Sequence, residues 1–360
     1  MISHILTAFF LFCLSHIANC QNTSTKSDKI KKAQSSHAIK KPSILPIIDM
    51  HMHARTASHY GTPPLTICAP ADEMPLWDQK KSIEDVMAGT PCKNILWSPK
   101  TDDELLQQTI AMMNKYNIYG VLGGKPDLVT KWIIAAPGQF IPGLDFRLDK
   151  GTITGNTKPA TPQDIRNLYS EGAFKVLAEV TNQYAGIAPD DERMRPYWIL
   201  AEELDIPVGI HVGPGGPGEV YLGNSNFRAR LQSPLLLEEV LVRHPKLRIY
   251  IMHAGYPMLD DLLALLFSYP QVYVELGIIA NVEPRAGFYR YLKAIMDAGY
   301  GKRVMFGSDQ MIWPGLIEAA IQSIEQAPFL SRQQKRDIFY NNAARFLRLT
   351  PEEIAAHHRK

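Results

Sequence analysis

From Lys100 onward the apolar and polar positions change period in a regular way. Thr101-Asp102-Asp103-Glu104 forms a capping box, and Leu105, Leu106, Ile110 and Met113 follow at helical spacing. Residues 119–122 then read as a strand, 128–135 as a short helix and 140–146 as a strand. Thr161-Pro162-Gln163-Asp164 opens another helix, with proline in its first turn. The alternation continues through strands at 174–180, 207–212, 247–253, 272–276 and 303–309. Helices are expected at 191–204, 235–242, 258–267 and 285–298, and two more, at 315–326 and 332–347, end the chain. With the apolar stretch at 47–53 this makes eight strands, most of them separated by helices. Such alternation implies an α/β fold with a parallel sheet and right-handed crossovers. Eight units point to a (β/α)8 barrel, domain 44–360. The rival is a doubly wound open sheet. Its central strands are usually apolar throughout, whereas several strands here carry polar residues on one face near their C-terminal ends.

The first 43 residues break this pattern. Residues 1–20 contain no Asp, Glu, Lys or Arg, and Ile5–Leu14 is a ten-residue apolar run. That is too short to span a bilayer and fits the core of a signal peptide. Cys20 follows Ile17-Ala18-Asn19, an arrangement that looks like a bacterial lipobox, although Asn19 departs from the small residue preferred there. Simple cleavage near Ala18 or Cys20 is the alternative. Residues 21–43 hold six lysines against one aspartate and read as a disordered, Lys/Ser-rich tether. That net of +5 leaves −3 for the rest of a chain whose formal charge is +2, so the folded part is not a nucleic-acid-binding surface. The expectation is an exported protein, either periplasmic or held at a membrane by a lipid on Cys20.

Residues 54–100 are rich in proline and polar residues and lack periodicity. Loops of this length in compact domains are usually functional. Cys68 and Cys92 are the two cysteines of the folded part, and in an exported chain such a pair is expected to form a disulfide.

Candidate chemistry gathers at strand ends. In Ile47-Ile48-Asp49-Met50-His51-Met52-His53, strict alternation puts Asp49, His51 and His53 on one face and Ile48, Met50 and Met52 on the other. Two imidazoles about 6–7 Å apart along a strand can converge on one ion. A bare HxH is a weak signal, equally compatible with two hydrogen-bonded structural histidines. His211 ends the strand at 207–212, and His253 ends the strand at 247–253 on the face of Ile249 and Ile251. Asp309 ends the strand at 303–309, and Glu179 lies near the end of 174–180 with Lys175 four residues earlier. Taken singly, each histidine is more often structural than a ligand. Together they all fall where barrel active sites lie.

IIDMHMH, HVG, MHAG and FGSD in this order resemble the amidohydrolase superfamily of metal-dependent TIM-barrel hydrolases, in the branch that also contains decarboxylases. The closing Tyr340-Asn341-Asn342-Ala343-Ala344-Arg345-Phe346-Leu347 is similar to that branch's C-terminal helix motif. The resemblance covers roughly residues 44–350. It implies that His51, His53 and Asp309 bind one metal. His211 and His253 would bind a second, or His253 would transfer a proton or act as an electrophile beside a single ion. Asp309 would also deprotonate the attacking water. Strand four would bridge two ions through Glu179, which stands at the mouth, or through a carbamylated Lys175, or not at all. Asp49 would hold its neighbours.

The metal implied is divalent, zinc by preference, as one ion or two. The reaction implied is hydrolysis of an amide, lactone or ester in a small-molecule substrate. The alternatives are a decarboxylase or hydratase on the same barrel, and a non-catalytic periplasmic binding protein. Arg147, Tyr184 and Arg228 are candidates for contacting substrate. Gly213–Gly218 fits GxGxxG, but Pro214 and Pro217 lack the N–H groups that cradle phosphate, and a lid above His211 fits better.

Overall fold

The computed structural model describes residues 44–78, 80–82, 90–149, 159–213 and 215–359. The apolar segment 1–20, the lipidation candidate Cys20, the tether 21–43 and Pro214 lie outside them. Among the described residues no helix is long and apolar enough to cross a membrane.

The first strand, β1 (Ile47–Ala54), is buried along its whole length. A short antiparallel pair comes next, β2 (Thr66–Cys68) and β3 (Ile95–Trp97). The remaining strands are β4 (Ile118–Gly124), β5 (Phe140–Pro142), β6 (Leu177–Val180), β7 (Val208–His211), β8 (Ile249–Met252), β9 (Tyr273–Glu275) and β10 (Val304–Met305). The parallel strands run in two arcs, β1-β4-β5 and β6-β7-β8-β9-β10. Bridges Gly143–Val176 and Phe146–Val180 join one end. At the other end the Met50 N–H donates to the Phe306 carbonyl (2.9 Å) and the Asp309 N–H to the His51 carbonyl (2.8 Å). The sheet is therefore closed, a TIM barrel of eight strands.

Closure creates two packing layers. Ile48, Met50, Val121, Val176, Ala178, Tyr250, Met252 and Met305 fill the barrel, and Tyr340, Ala343 and Phe346 join them from the C-terminal segment. The Tyr250 hydroxyl crosses the interior from β8 to donate to the Met50 carbonyl on β1 (3.0 Å). Its ring takes the room a side chain at Gly209 would need, since a Cβ there would stand 2.5 Å from Cζ. Ile47, Met52, Leu122, Leu177, Val208, Ile249 and Ile251 face outward into the helical layer. Fully burying such a side chain is worth about 1.5–3 kcal/mol, so the two layers hold the barrel from both sides.

Strict alternation fails in β1. Its register with β4 shifts between Asp49 and Met52, where two residues oppose one. Met50 therefore faces inward with Ile48, and Met52 faces outward. The bulge lets His51 and His53 turn inward together without emptying the core beneath them. Asp49 does not share their face: its Oδ1 accepts the N–H groups of His51 (3.0 Å) and Ser308 (2.9 Å), pinning the bulge. Nor does His253 share the face of Ile249 and Ile251. Both isoleucines pack outward, while His253 leaves the strand with φ +61° and is followed by Ala254 at φ +50°.

Other expected elements are shorter or interrupted. The strand expected at 303–309 is regular only as β10 over Val304–Met305, and the one at 174–180 only as β6 from Leu177. The helix expected at 332–347 is broken by a π turn, Asp337–Asn341. That turn frees the Ile338 carbonyl to accept the Phe306 N–H (2.9 Å), so the closing segment grips the strand that carries Asp309. The pair β2–β3 escapes periodicity because each strand has three residues and 26 residues separate them. It is tied to the barrel by the Trp313 indole N–H, which donates to the Leu65 carbonyl (2.9 Å).

Cys68 and Cys92 form a disulfide that closes this segment over a separation of 24 residues. A loop of that length corresponds to roughly 3 kcal/mol of stabilisation. Urea denaturation of the Cys68→Ser/Cys92→Ser double variant without reductant is expected to show a loss of up to that size. An unchanged midpoint and slope would mean the bridge does not form.

Candidate metal centre

Six side chains named by the sequence meet at the C-terminal mouth of the barrel. They form two sets, His51–His53–Asp309 and Glu179–His211–His253, every residue of them buried. In the first, His51 Nε2 stands 3.0 Å from His53 Nε2, and Asp309 Oδ1 lies 3.1 Å from His53 Nε2 and 3.5 Å from His51 Nε2. In the second, Glu179 Oε1 is 2.6 Å from His211 Nδ1 and 3.5 Å from His253 Nε2, and these two nitrogens are 3.0 Å apart. Glu179 Oε2 turns to the first set, 3.8 Å from His51 Nε2 and 3.7 Å from His53 Nε2. One carboxylate therefore touches both sets.

The fold places each group. The β1 bulge aims His51 and His53. Gln310 holds His53 from behind: its Oε1 accepts the His53 N–H (3.0 Å) and its Nε2 donates to the His53 carbonyl (2.7 Å). The Gln183 side chain donates to the His211 carbonyl. His253 Nδ1 lies 3.0 Å from the Gly277 carbonyl, which turns Nε2 towards the cage. Asp309 sits at φ +46° just past β10 and is tied by its N–H to β1.

Charge decides what this cluster needs. Among the described residues neither Lys nor Arg forms an ion pair with Glu179, Glu275 or Asp309. Burial alone would raise the Glu179 carboxyl, but hydrogen bonds from His211, His253 and His51 hold it well below the usual range. Asp309 is held low in the same way, its burial outweighed by the nearby His51 and by His53. His51 is driven well above the ordinary histidine range, as Asp309 and Glu275 overcome its burial. Burial and the neighbouring His253 lower His211. Asp309 Oδ1 and His211 Nε2 are buried without a hydrogen-bond partner among the described residues. Imidazole and carboxylate donors, with a carboxylate oxygen left unpartnered, fit a divalent cation. His51, His53 and Asp309 would hold one ion and His211 and His253 another, with Glu179 between.

Other expected residues fall elsewhere. Lys175 is exposed, so a carbamylated lysine does not bridge these sets. The Tyr184 ring lies 4.8 Å from that of His211. Arg147 stands 5.9 Å over Tyr184 and pairs with Asp149 (2.6 Å). Arg228 is not brought to the cage: it is exposed and donates to the carbonyls of Ser225 and Phe227 on its own loop. The GxGxxG stretch builds no helix for a phosphate, since the chain after it forms only the three-residue turn Glu219–Tyr221. Sequence reasoning passed over Glu275, Gln310 and the ion pair Arg55–Asp145 (2.8 Å), whose Arg55 NH2 is 3.0 Å from His53 Nδ1. Glu275 ends β9, so the strand-end rule that found the others applies to it as well.

A family model for amidohydrolases matches residues 48–349. The chain belongs to the amidohydrolase family. Among solved structures, this chain is similar to an uncharacterised TIM-barrel protein from Bordetella bronchiseptica. They share 18% identity at a TM-score of 0.56, over 86% of this chain and 100% of that one. A dihydroxybenzoic acid decarboxylase from Polaromonas sp. JS666, with bound manganese and an inhibitor, matches at a TM-score of 0.51 and 14% identity, over 86% and 99% of the two chains. A probable 2-pyrone-4,6-dicarboxylic acid hydrolase from Acinetobacter baumannii matches at 0.50 and 13%, over 84% and 99%. Protein fluG of Emericella nidulans is 22% identical over 158 residues, 42% of this chain, and the match spans only 18% of that protein's length. Proteins of this fold thus include a probable hydrolase and a decarboxylase with bound manganese.

If Glu179 joins two ions, Glu179→Gln should lower bound metal from two equivalents per chain towards one. Elemental analysis after gel filtration checks this. A wild-type count of one, unchanged in the variant, would leave Glu179 outside the metal site.

Proposed function

We propose that this amidohydrolase is a hydrolase that uses two divalent ions, zinc by donor preference, to direct water at an amide, lactone or ester carbonyl. The observation that carries this reading is Glu179, whose two oxygens face two separate sets of nitrogen donors. Bound ions would polarise the substrate carbonyl and acidify a water. The protein's own part is to hold and move protons. The Asp309 carboxylate, buried at the cage, is the acceptor for the proton of the attacking water. His253, fixed by its Nδ1 contact with Gly277, keeps Nε2 on the cage. Tyr184 stands against His211 and, with Arg147 above it, offers an aromatic and cationic wall to a small-molecule substrate.

Asp309→Asn preserves the shape and removes the base. Its turnover on a responsive amide, lactone or ester is expected to fall by about 10²–10⁴-fold. Wild-type turnover in the variant, or full activity in metal-free protein, would overturn the reading. Release of CO2 from an aromatic carboxylate with one bound ion would move the chain to the decarboxylases.

A further inference from the structure

Glu275 is fully buried at the end of β9, on the far side of His51 from the other donors. Its Oε1 is 3.1 Å from His51 Nδ1 and accepts the His253 backbone N–H (2.8 Å); its Oε2 accepts the Gly277 N–H (2.5 Å). A carboxylate can only accept, so His51 must present Nδ1 as N–H, which leaves Nε2 facing His53 and Asp309. The second contact falls on the residue whose positive φ swings His253 off the outward face of β8 and into the cage. One side chain thus reaches a histidine from each of the two metal-binding sets.

Room for this carboxylate is built in. A Cβ on Gly307 would overlap Glu275 Oε2, and one on Gly277 would lie 2.7 Å from that oxygen and 2.9 Å from His51 Nδ1. Gly307 belongs to the FGSD segment that carries Asp309. Its missing side chain therefore has a local reason.

His51, His253 and Glu275 also place donor atoms within 4.8 Å of one another, close enough to be a third ion site. The hydrogen bonds argue against it, since both Glu275 oxygens already accept N–H groups. His253 Nδ1 is likewise occupied by the Gly277 carbonyl. We propose that Glu275 is a positioning residue: it holds His51 with its proton on Nδ1 and the His253 backbone in its inward turn, so that both histidines aim Nε2 at the metals. This rests on the two-ion cage proposed above. Carboxylates that orient metal-bound histidines are typically worth 10–100-fold in affinity.

The test measures zinc affinity by chelator competition in the wild type, Glu275→Gln and Glu275→Asp. Glutamine keeps the shape but must turn an NH2 towards an N–H; aspartate keeps the charge but shortens the reach. Both are expected to bind about 10–100-fold more weakly, and the Glu275→Asp loss shows that placement matters beyond charge. Nitrogen-15 histidine spectra of the zinc-loaded wild type supply a readout independent of how the variants fold, with His51 expected to be protonated at Nδ1. Unchanged affinity in both variants, wild-type affinity in Glu275→Asp, or an unprotonated His51 Nδ1 would overturn the proposal. A third zinc equivalent lost in Glu275→Gln would overturn it in favour of a ligand role. A wild type that takes up no zinc would sink the cage reading itself, an outcome separable from all of these.

Discussion

Three carboxylates, Glu179, Glu275 and Asp309, are buried at one mouth of the barrel, and among the described residues no lysine or arginine is ion-paired to any of them. Burying an ionised carboxylate costs several kcal/mol unless it is paired and hydrogen-bonded. The protein meets that cost unequally. Glu275 is satisfied by its N–H donors, whereas Asp309 Oδ1 has no hydrogen-bond partner among the described residues and Glu179 Oε2 stands at 3.7–3.8 Å from two imidazoles. The carboxylate held by backbone N–H groups is on the support side of the cage, and the two that face its centre, Glu179 and Asp309, meet imidazoles. That division is what a cation site requires and what a purely structural histidine cluster would not.

The backbone around the cage departs from regular strand wherever a donor must be re-aimed. The β1 bulge brings Met50 and His51 to the same side, left-handed φ values turn His253 and Asp309, and the π turn at Asp337–Asn341 supplies a carbonyl that secures the segment leading to Asp309. Each departure has a partner that stabilises it: Asp49 at the bulge, Glu275 at the His253 turn, β1 at Asp309. Strain of this kind persists only where surrounding contacts over-determine it. The barrel interior, filled by Ile48, Tyr250, Met252 and Met305, provides the packed support beneath the cage.

The fold was legible because eight apolar strands alternate with helices, a pattern that survives the trimming of β6 and β10. The residues that meet at the mouth were legible because chemically active side chains stood at strand ends. The route by which they meet was not. Simple alternation put Met50 with Met52 and His253 with Ile251, and both pairings fail because period-two reasoning cannot see a bulge or a positive φ. Glu275 was hidden for another reason: an acidic residue closing an apolar strand has no sequence mark distinguishing a support from a ligand. Arg228 failed in the opposite sense, since its position in an upper loop said nothing of the carbonyls that occupy it. The β2–β3 pair left only its cysteines as a sign, because three-residue strands carry no period.

In the proposed function two ions share Glu179. Anomalous diffraction from crystals of the zinc-loaded protein, recorded on both sides of the zinc edge, tests it most directly. Two peaks are expected, one within bonding distance of His51, His53 and Asp309 and one of His211 and His253, with Glu179 reaching both. A single peak, or two peaks with Glu179 turned away, would contradict it.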